Sequence, residues 1–421
     1  MTSKTGWRDT RLKNLFTSVR NGTWGDDPDG QSDVFCARGT DFDRTTSRII
    51  SAKMPRRSVA PSVRRDHELS RGDLVIEKSG GSADQPVGSV ALFDLDVPTV
   101  CSNFNARMKV TASVDSRFAC YLLNGLYWSG FTRQFIKQTT GIQNLDAEAL
   151  LAEHCAIPPL DEQRRISDFL DVETSRIDQI VERRRTQINR LNTREPSLLD
   201  ASYRADGSSF VRLKHLASRI TSGPRGWGDL IADEGTPFLR ILNIPRRGVK
   251  LDTSNMARVT APRGPERERT RTKPGDILVS ITADIGSVAI VDGIAVNGNV
   301  SQHIALVRPT LSICDPEWLA YAIKSPAAKG QLTGNSYGGT KVGLGLGDIA
   351  DLHLSVPPLP VQRTIARHIS QETAVIEAIR SAIEGQDALL TKRRQALIIA
   401  AVTGQFDVTT ASRSSQSGGI V

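Results

Sequence analysis

Cysteine and aromatic residues are scarce in this chain of 421 residues: it has five cysteines, and Phe, Trp and Tyr together make up 5%. Cys36, Cys101, Cys120, Cys155 and Cys314 are scattered, odd in number and form no C-x-x-C pair. That excludes a disulfide framework and a zinc cluster, and leaves free, mostly buried thiols as the expectation. No apolar run approaches the ~18 residues needed to span a bilayer. The polar N-terminus, MTSKTGWRDTRLKN, lacks the apolar core of a secretory signal, so a cytoplasmic protein is expected. His67, His154, His215, His303, His353 and His368 show no H-E-x-x-H or other metal-ligand spacing.

Catalytic signatures are missing as well. In GNSYGGTKVG (334–343) Thr340 precedes Lys341, reversing the order in which a phosphate loop places lysine on the outer phosphates and a hydroxyl on magnesium. GLGLG (343–347) lacks the spacing of a dinucleotide fingerprint. No Asn-Pro-Pro-Tyr or Asp-Pro-Pro-Tyr run marks an amino-methyltransferase. Asp73 with Glu77 and Lys78 echoes a nuclease carboxylate cluster, but the matching stretch from Asp276 to Ser280 holds neither Glu nor Lys. Both aspartates read as turn residues at the start of a strand. A chain without catalytic activity of its own is expected.

What the chain does have is charge, length and a repeat. A net charge of +8 and a pI near 9.4 suit a polyanionic partner. The cations cluster in KMPRRSVAPSVRR (53–65) and RGPERERTRTK (263–273), both broken by Pro or Gly-Pro and therefore read as loops. The length exceeds what one core usually serves, so two or three domains are expected.

IPPLDEQRRI (157–166) returns as VPPLPVQRTI (356–365), 356 − 157 = 199 residues later. Each copy opens a helical pattern with a seven-residue period. Leu170, Ile177, Leu191 and Leu198, with Arg184 in the remaining slot, answer Ile369, Ile376, Ile383, Leu390 and Leu397. Ile166 and Ile365, and Ile180 and Ile379, read as flanking seam positions; Glu173 and Glu372, and Gln187 and Gln386, read as matched polar interruptions. This is a coiled-coil signature, and the matched positions favour two helices packed on each other antiparallel over two amphipathic helices on separate cores. Pro-Pro suits a helix start. Pro196 should kink or end the first helix near Arg194, giving an arm of roughly 50 Å. The second is expected to run to Val402 and end at Gly404, with Gly385 a weak point.

The segments outside the helices also match in outline. RLKNL (11–15) answers RLKHL (212–216), TWGDD (23–27) answers GWGDL (226–230), RGDLVIE (71–77) answers PGDILVS (274–280), and VGSVAL (87–92) answers IGSVAI (285–290). His154 and His353 are a further repeat pair. The expected fold is α+β, two similar mixed α/β domains at 1–156 and 206–355, spacer helices at 157–205 and 356–405, and a disordered tail at 406–421. Two similar binding units on a spacer suit two DNA half-sites about one helical turn apart, with divergent loops reading different sequences.

These features resemble the specificity subunit of type I restriction–modification systems. The two Pro-Pro-Leu phrases look like the openings of that family's spacer helices. GDLVIEKSGGSADQPVGSVALF (72–93), CSNF (101–104) and TTGIQNL (139–145) resemble one class of its target-recognition domains; GDILVSITADIGSVAIV (275–291) and GGTKVGLGLGDI (338–349) resemble another. The resemblance implies a DNA-binding subunit with a pseudo-twofold internal repeat, each domain reading half of a split target. It implies two methyltransferase subunits and restriction/translocase subunits as partners. S-adenosylmethionine would serve the methyltransferase, ATP and magnesium the restriction subunit, and this chain itself would need no cofactor.

Base readout favours Arg or Lys on guanine and Asn or Gln on adenine. Loop candidates are Lys78, Ser79, Gln85, Asn103, Thr140 and Gln143 in the first domain, and Arg240, Asn243, Thr282, Asn299, Gln302, Thr340 and Lys341 in the second. Arg56, Arg57, Arg64, Arg65, Arg267, Arg269 and Arg271 are candidates for phosphate contact, which positions without reading sequence. Two other readings remain: a DNA-reading adaptor of another phage-defence methyltransferase system, and a magnesium-dependent nuclease using Asp73 and Glu77.

Overall fold

A computed structural model describes residues 6–139, 141–203, 209–334 and 343–408. The chain divides into two compact units, residues 1–183 with 385–421 and residues 184–384. Unit 1 is built from two separate stretches of chain and unit 2 from one, and each takes part of both long helices.

In unit 1 the strands include β1 (Arg8–Arg11), β2 (Phe16–Asn21), β3 (Asp33–Ala37), β4 (Arg56–Ser58), β5 (Leu74–Glu77), β6 (Val90–Leu92), β7 (Thr99–Cys101), β8 (Asn105–Val110) and β9 (His154–Ile157). Helix α1 spans Pro61–His67 and α2 spans Ser116–Trp128, and the first long helix, α3, runs from Leu160 to Tyr203. The main sheet has the order β2-β8-β5-β6, extended by Arg48–Ile49 and Phe42–Asp43. A smaller sheet, β7-β3-β4, has β7 parallel to β3. Leu74 and Ile76 of β5 enter one core with Phe118 and Leu122 of α2, while Val75 enters a second on the other face. That two-sided burial is why the strand reads as an unbroken apolar run.

Unit 2 repeats the plan. Its strands include β10 (Ser209–Arg212), β11 (Ala217–Ser222), β12 (Thr236–Leu239), β13 (Ala257–Val259), β14 (Ile277–Ser280), β15 (Val288–Ile290), β16 (Asn299–Val300), β17 (Ile304–Pro309) and β18 (His353–Val356). Its helices include α4 (Pro265–Thr270), α5 (Pro316–Lys324) and the second long helix, α6 (Leu359–Val402). The main sheet is β11-β17-β14-β15, and the smaller sheet again contains a parallel pair, β12 with β16. In both units the first and last strands pair antiparallel, Arg8 opposite Ile157 and Ser209 opposite Val356.

The repeated phrase is a lock at the start of each long helix. Gln163 is 1% exposed; its Oε1 accepts the Asp115 N–H at 2.9 Å and its Nε2 donates to the Pro158 carbonyl at 2.9 Å. Gln362 does the same for Asp315 at 2.8 Å and Pro357 at 2.9 Å. Asp115 and Asp315 in turn cap α2 and α5 by accepting the Phe118 and Trp318 N–H groups. One glutamine thus ties the arm to the domain helix in each copy.

Within unit 1, Ile166 and Leu170 near the start of α3 share a core with Ile398, Ala401 and Val402 at the end of α6. Within unit 2, Ala366 and Ile369 near the start of α6 share a core with Leu199 at the end of α3. The helices therefore run antiparallel within each unit. The series Leu170, Ile177 and Ile369, Ile376, Ile383 is buried, and Leu191, Leu198, Leu390 and Leu397 are half-buried.

Of the flanking positions, Ile166 is buried in the first core and Ile365 is half-buried on the second, but the other pair differs from expectation. Ile180 and Ile379 are 40% and 44% exposed. The second row of each seam lies four residues after the first, at Thr174, Val181 and Ile188, and at Thr373, Arg380, Asp387 and Arg394. Alternating steps of four and three keep such a row on one face of the helix. Glu173 and Glu372 are half-buried beside the seam, and Gln187 and Gln386 are exposed. Arg394 pairs with Asp178, and Arg380 with Glu377 and, at 3.1 Å, Asn192 Oδ1.

Pro196 does not end α3, which continues to Tyr203. Tertiary contacts outweigh the missing donor: Leu199 is buried in the second core, and Glu195 Oε1 accepts the Gly248 N–H at 3.0 Å. Helix α6 passes through Gly385 unbroken, and Gly404 (φ +74°) follows its end, the backbone region that favours glycine beyond a helix C-terminus. The arginine-rich stretches are not loops: 53–65 holds β4 and α1, and 263–273 holds α4. Both helices have proline in the first turn, where no donor is needed. The expected tail begins too early, because Phe406 and Val408 pack on the first core and the Phe406 ring sits 5.5 Å from that of Phe169. Residues 409–421 lie outside the described ones. All five cysteines are free and buried.

Candidate nucleic-acid interface

In unit 1 the exits of β2, β3, β5 and β7 and the entry of β8 converge. Thr23 N–H donates to Cys101 O at 2.8 Å, Gly22 N–H to Asn105 O at 2.9 Å, Ser102 N–H to Ala37 O at 2.9 Å and Lys78 N–H to Phe104 O at 2.8 Å. In unit 2, Gly223 N–H donates to Ser301 O at 3.3 Å, Ser301 N–H to Leu239 O at 2.9 Å and Ile281 N–H to His303 O at 3.1 Å. Gly22 and Gly223 allow the close approach: a Cβ there would lie 2.2 Å from Cys101 O and 1.9 Å from Val300 O. The same backbone joint thus presents Lys78, Ser79, Asn103 and Phe104 in unit 1 and Thr282, Gln302 and His303 in unit 2.

The sequence candidates divide on this frame. Lys78 donates to Asn21 Oδ1, Ser79 Oγ donates to Asn144 Oδ1 at 2.7 Å, and Asn103 is exposed beside Phe104, which is 50% exposed. Gln85 is exposed on the loop after Gly81. Gln143 is buried beneath that loop, accepting from Val87 N–H and donating to Ser82 O, both at 3.2 Å. In unit 2, Thr282 and Gln302 are exposed and bond the two ring nitrogens of His303, at 3.2 Å and 3.1 Å. Arg240 is half-buried at the same joint.

Asn243 and Asn299 face inward. Asn243 donates to Asp252 O, and Asn299 donates to Arg267 O and Thr270 Oγ1. Thr140, Thr340 and Lys341 lie outside the described residues. Asn21, Phe104, Asn144, Leu242 and His303 join the surface without having been singled out. The 199-residue offset was the available signal for one pair, since it sets Phe104 opposite His303.

A short arginine-bearing helix lies beside the joint in each unit, net basic in α1, whereas in α4 Glu266 and Glu268 balance Arg267 and Arg269. His67 Nδ1 of α1 contacts Asn21 O at 3.0 Å, and Arg269 of α4 donates to Ser222 O at 2.9 Å. Arg65 is exposed, Arg64 pairs with Glu68 at 2.9 Å, and Arg267 is half-buried. Arg56 lies 5.2 Å from the Phe35 ring centre and Arg57 4.8 Å from that of Trp24, with Arg57 also 2.7 Å from Asp27. Arg271 donates to Asn297 Oδ1 at 3.1 Å. Exposed cations beside a loop cluster can hold phosphates while the loops reach base edges.

The carboxylates are engaged elsewhere. Asp73 accepts from Arg107 at 2.7 Å and from Ser70 N–H at 2.8 Å, and Asp276 accepts from Arg308 at 2.7 Å, so they anchor strands rather than merely turn the chain. Glu77 accepts from Arg44 at 2.8 Å. Among the described residues no group of three or more His, Cys, Asp or Glu could hold a metal ion, and no helix is long and apolar enough to cross a membrane.

Residues 265–384 match the family model described as a type I restriction modification DNA specificity domain. The chain is 22% identical over 292 residues to the type I restriction enzyme EcoBI specificity subunit of Escherichia coli, covering 63% of this chain and 61% of that protein. It is 25% identical over 192 residues to the StySPI specificity subunit of Salmonella potsdam, covering 44% of this chain and 40% of that one. The matched stretches therefore span less than two thirds of these relatives. In fold, the chain resembles one from a study of complex assembly and conformational transition of the type I R-M system, with a TM-score of 0.74 at 20% identity, covering 96% of this chain and 100% of that one. It also resembles the HsdS subunit from Thermoanaerobacter tengcongensis, with a TM-score of 0.53 at 19% identity, covering 96% and 99%.

Proposed function

We propose that this chain, a relative of the type I specificity subunits, is the DNA-reading subunit of a restriction–modification complex. Each unit reads one half of a split target, and the two long helices set the gap between the halves. One observation carries the reading. The same strand-end joint occurs twice, flanked each time by a short arginine-bearing helix, and displays different side chains: Lys78, Ser79, Asn103 and Phe104 in one copy, Thr282, Gln302 and His303 in the other. Shared scaffold with divergent display is what reading two sequences in one frame requires. Linking two modest half-site binders raises affinity through effective concentration. Each long helix has 44 residues, about 66 Å at 1.5 Å per residue, enough to bridge roughly one turn of DNA.

In this reading two methyltransferase subunits and restriction/translocase subunits bring the chemistry to the cytoplasmic complex. S-adenosylmethionine, ATP and magnesium belong to those partners. The nuclease alternative is disfavoured because Asp73 and Glu77 are each held by a guanidinium. The test is co-expression with the neighbouring methyltransferase in a host lacking adenine methylation, followed by mapping of methylated adenines. A split motif with a fixed gap is expected. A stable complex that modifies nothing would move the assignment to an adaptor with a different output.

A further inference from the structure

The internal repeat is a control on which polar groups each unit leaves open. Arg38 and Arg240 occupy the same place, directly after Ala37 and just after β12, each preceding a tight 3-10 turn. In unit 1, Asp41 closes that turn and takes the Arg38 guanidinium in bidentate fashion, Nε at 2.9 Å and Nη2 at 3.0 Å. In unit 2 the turn is closed by Asn243. Its amide oxygen accepts the Arg240 backbone N–H at 2.9 Å, and its amide nitrogen donates to Asp252 O at 2.9 Å. No carboxylate replaces Asp41. Arg240 Nε is buried without a partner, and Nη2 reaches only Asn255 O at 3.3 Å.

A second position repeats the pattern. Ser102 Oγ accepts from Asn105 Nδ2 at 3.2 Å. The residue 199 positions after Asn105 is Ile304, and Ser301 Oγ is buried without a partner. Arg240 and Ser301 line one cleft of about 470 Å³ in unit 2, together with buried Trp227 and Phe238 and with Gln302 and His303. Leu242, 72% exposed, also borders it. Buried donors left unpaired are rare because each forfeits its hydration, and two on one cleft point to a bound partner.

We propose that this cleft is a subsite for a hydrogen-bond acceptor of DNA, with Arg240 Nε and Ser301 Oγ as donors, and that Asn243 in place of an aspartate leaves the Arg240 charge available. The inference rests on the DNA-reading function proposed above. Two acceptors share the required chemistry, the O6/N7 edge of guanine and a phosphate oxygen. Unit 1 closes the same place with its own carboxylate, so the units differ in what they hold even where their backbones agree.

The test uses the full chain in complex with its methyltransferase and a duplex carrying the mapped motif. Asn243→Asp restores the carboxylate and is expected to weaken binding at least tenfold, as Arg240→Ala does, leaving the unit 1 half of the motif unchanged. A loss confined to duplexes with guanine at one position identifies the base edge. An equal loss on every duplex, with a shallower salt dependence, identifies a phosphate. Either result supports the subsite. Ser301→Ala removes the second donor with little change of volume, and it too should weaken binding, which guards against a folding defect specific to Asn243→Asp. If both variants bind and modify DNA as the native complex does, the subsite is refuted while the DNA-reading function stands. A native complex that modifies no split motif overturns that function and the subsite with it.

Discussion

Replacing Gln163 by alanine should loosen unit 1 far more than a glutamine at a helix start usually would. The side chain is 1% exposed and makes three bonds, accepting from the Asp115 N–H and donating to the Pro158 carbonyl and, at 3.5 Å, to the Ser113 carbonyl. Alanine leaves the partly buried Asp115 N–H unpaired, at a cost of about 1–3 kcal/mol. The vacated volume adds roughly 1 kcal/mol, for a total of about 2–4 kcal/mol. Because Asp115 caps α2, the effect should fall on that helix. At about 1.4 kcal/mol per factor of ten, amide hydrogen exchange in α2 should accelerate roughly 30- to 700-fold, while α5 changes little. Gln362→Ala should produce the mirror image, with α5 accelerated and α2 spared. Exchange in α2 less than about threefold faster in Gln163→Ala would refute the idea that the repeated phrase is a structural lock.

Burial pushes Lys324 down from 10.5 to about 8, with the ammonium donating to Arg246 O at 3.1 Å. The unfolded chain then holds more protons between about pH 8 and 10.5, so unit 2 should gain stability as pH rises through that window, by up to about 3 kcal/mol. Lys324→Met should flatten this rise in urea midpoints measured across pH. Arg107→Met leaves the Asp73 carboxylate, 4% exposed, without its counter-charge and should cost about 3–5 kcal/mol in urea unfolding; a loss below about 1 kcal/mol would show that Ser70 and solvent suffice. Burial pushes the Cys36 thiol up to about 11 and those of Cys101, Cys120, Cys155 and Cys314 up to about 12. A disulfide reagent at pH 8 should therefore label none of the five in the native protein and all five in denaturant. One fast-reacting native thiol would contradict the packing.

Much of the architecture was legible because the repeat doubled every signal: the 199-residue offset aligns Gln163 with Gln362 and Leu170 with Ile369. The second seam row was hidden by its own polarity. Thr174, Thr373, Arg380 and Arg394 do not look like core residues, whereas the exposed Ile180 and Ile379 do. A buried arginine is readable only with its partner, and Asp178 and Asn192 lie 216 and 188 residues from theirs. Pro196 misled because local propensity favours a break, while Leu199 and Glu195 hold the turn beyond it through contacts distant in sequence. At the interface, residue type singled out Asn243, Asn299 and Gln143, but amides serve loops as readily as bases. Their burial emerges only from the fold. Arg38 and Arg240 are the same residue in the same place, and what separates them is the next turn's Asp41 or Asn243.

The central claim is that each unit reads its own half of one split target. Once the modified motif is known, it should be mapped again for two variants, one altered at Asn103 in unit 1 and one at Gln302 in unit 2. The account predicts that each variant weakens or changes one half of the motif, a different half for each, with the gap between the halves unchanged. A change in both halves from either substitution, or in the gap, would contradict it.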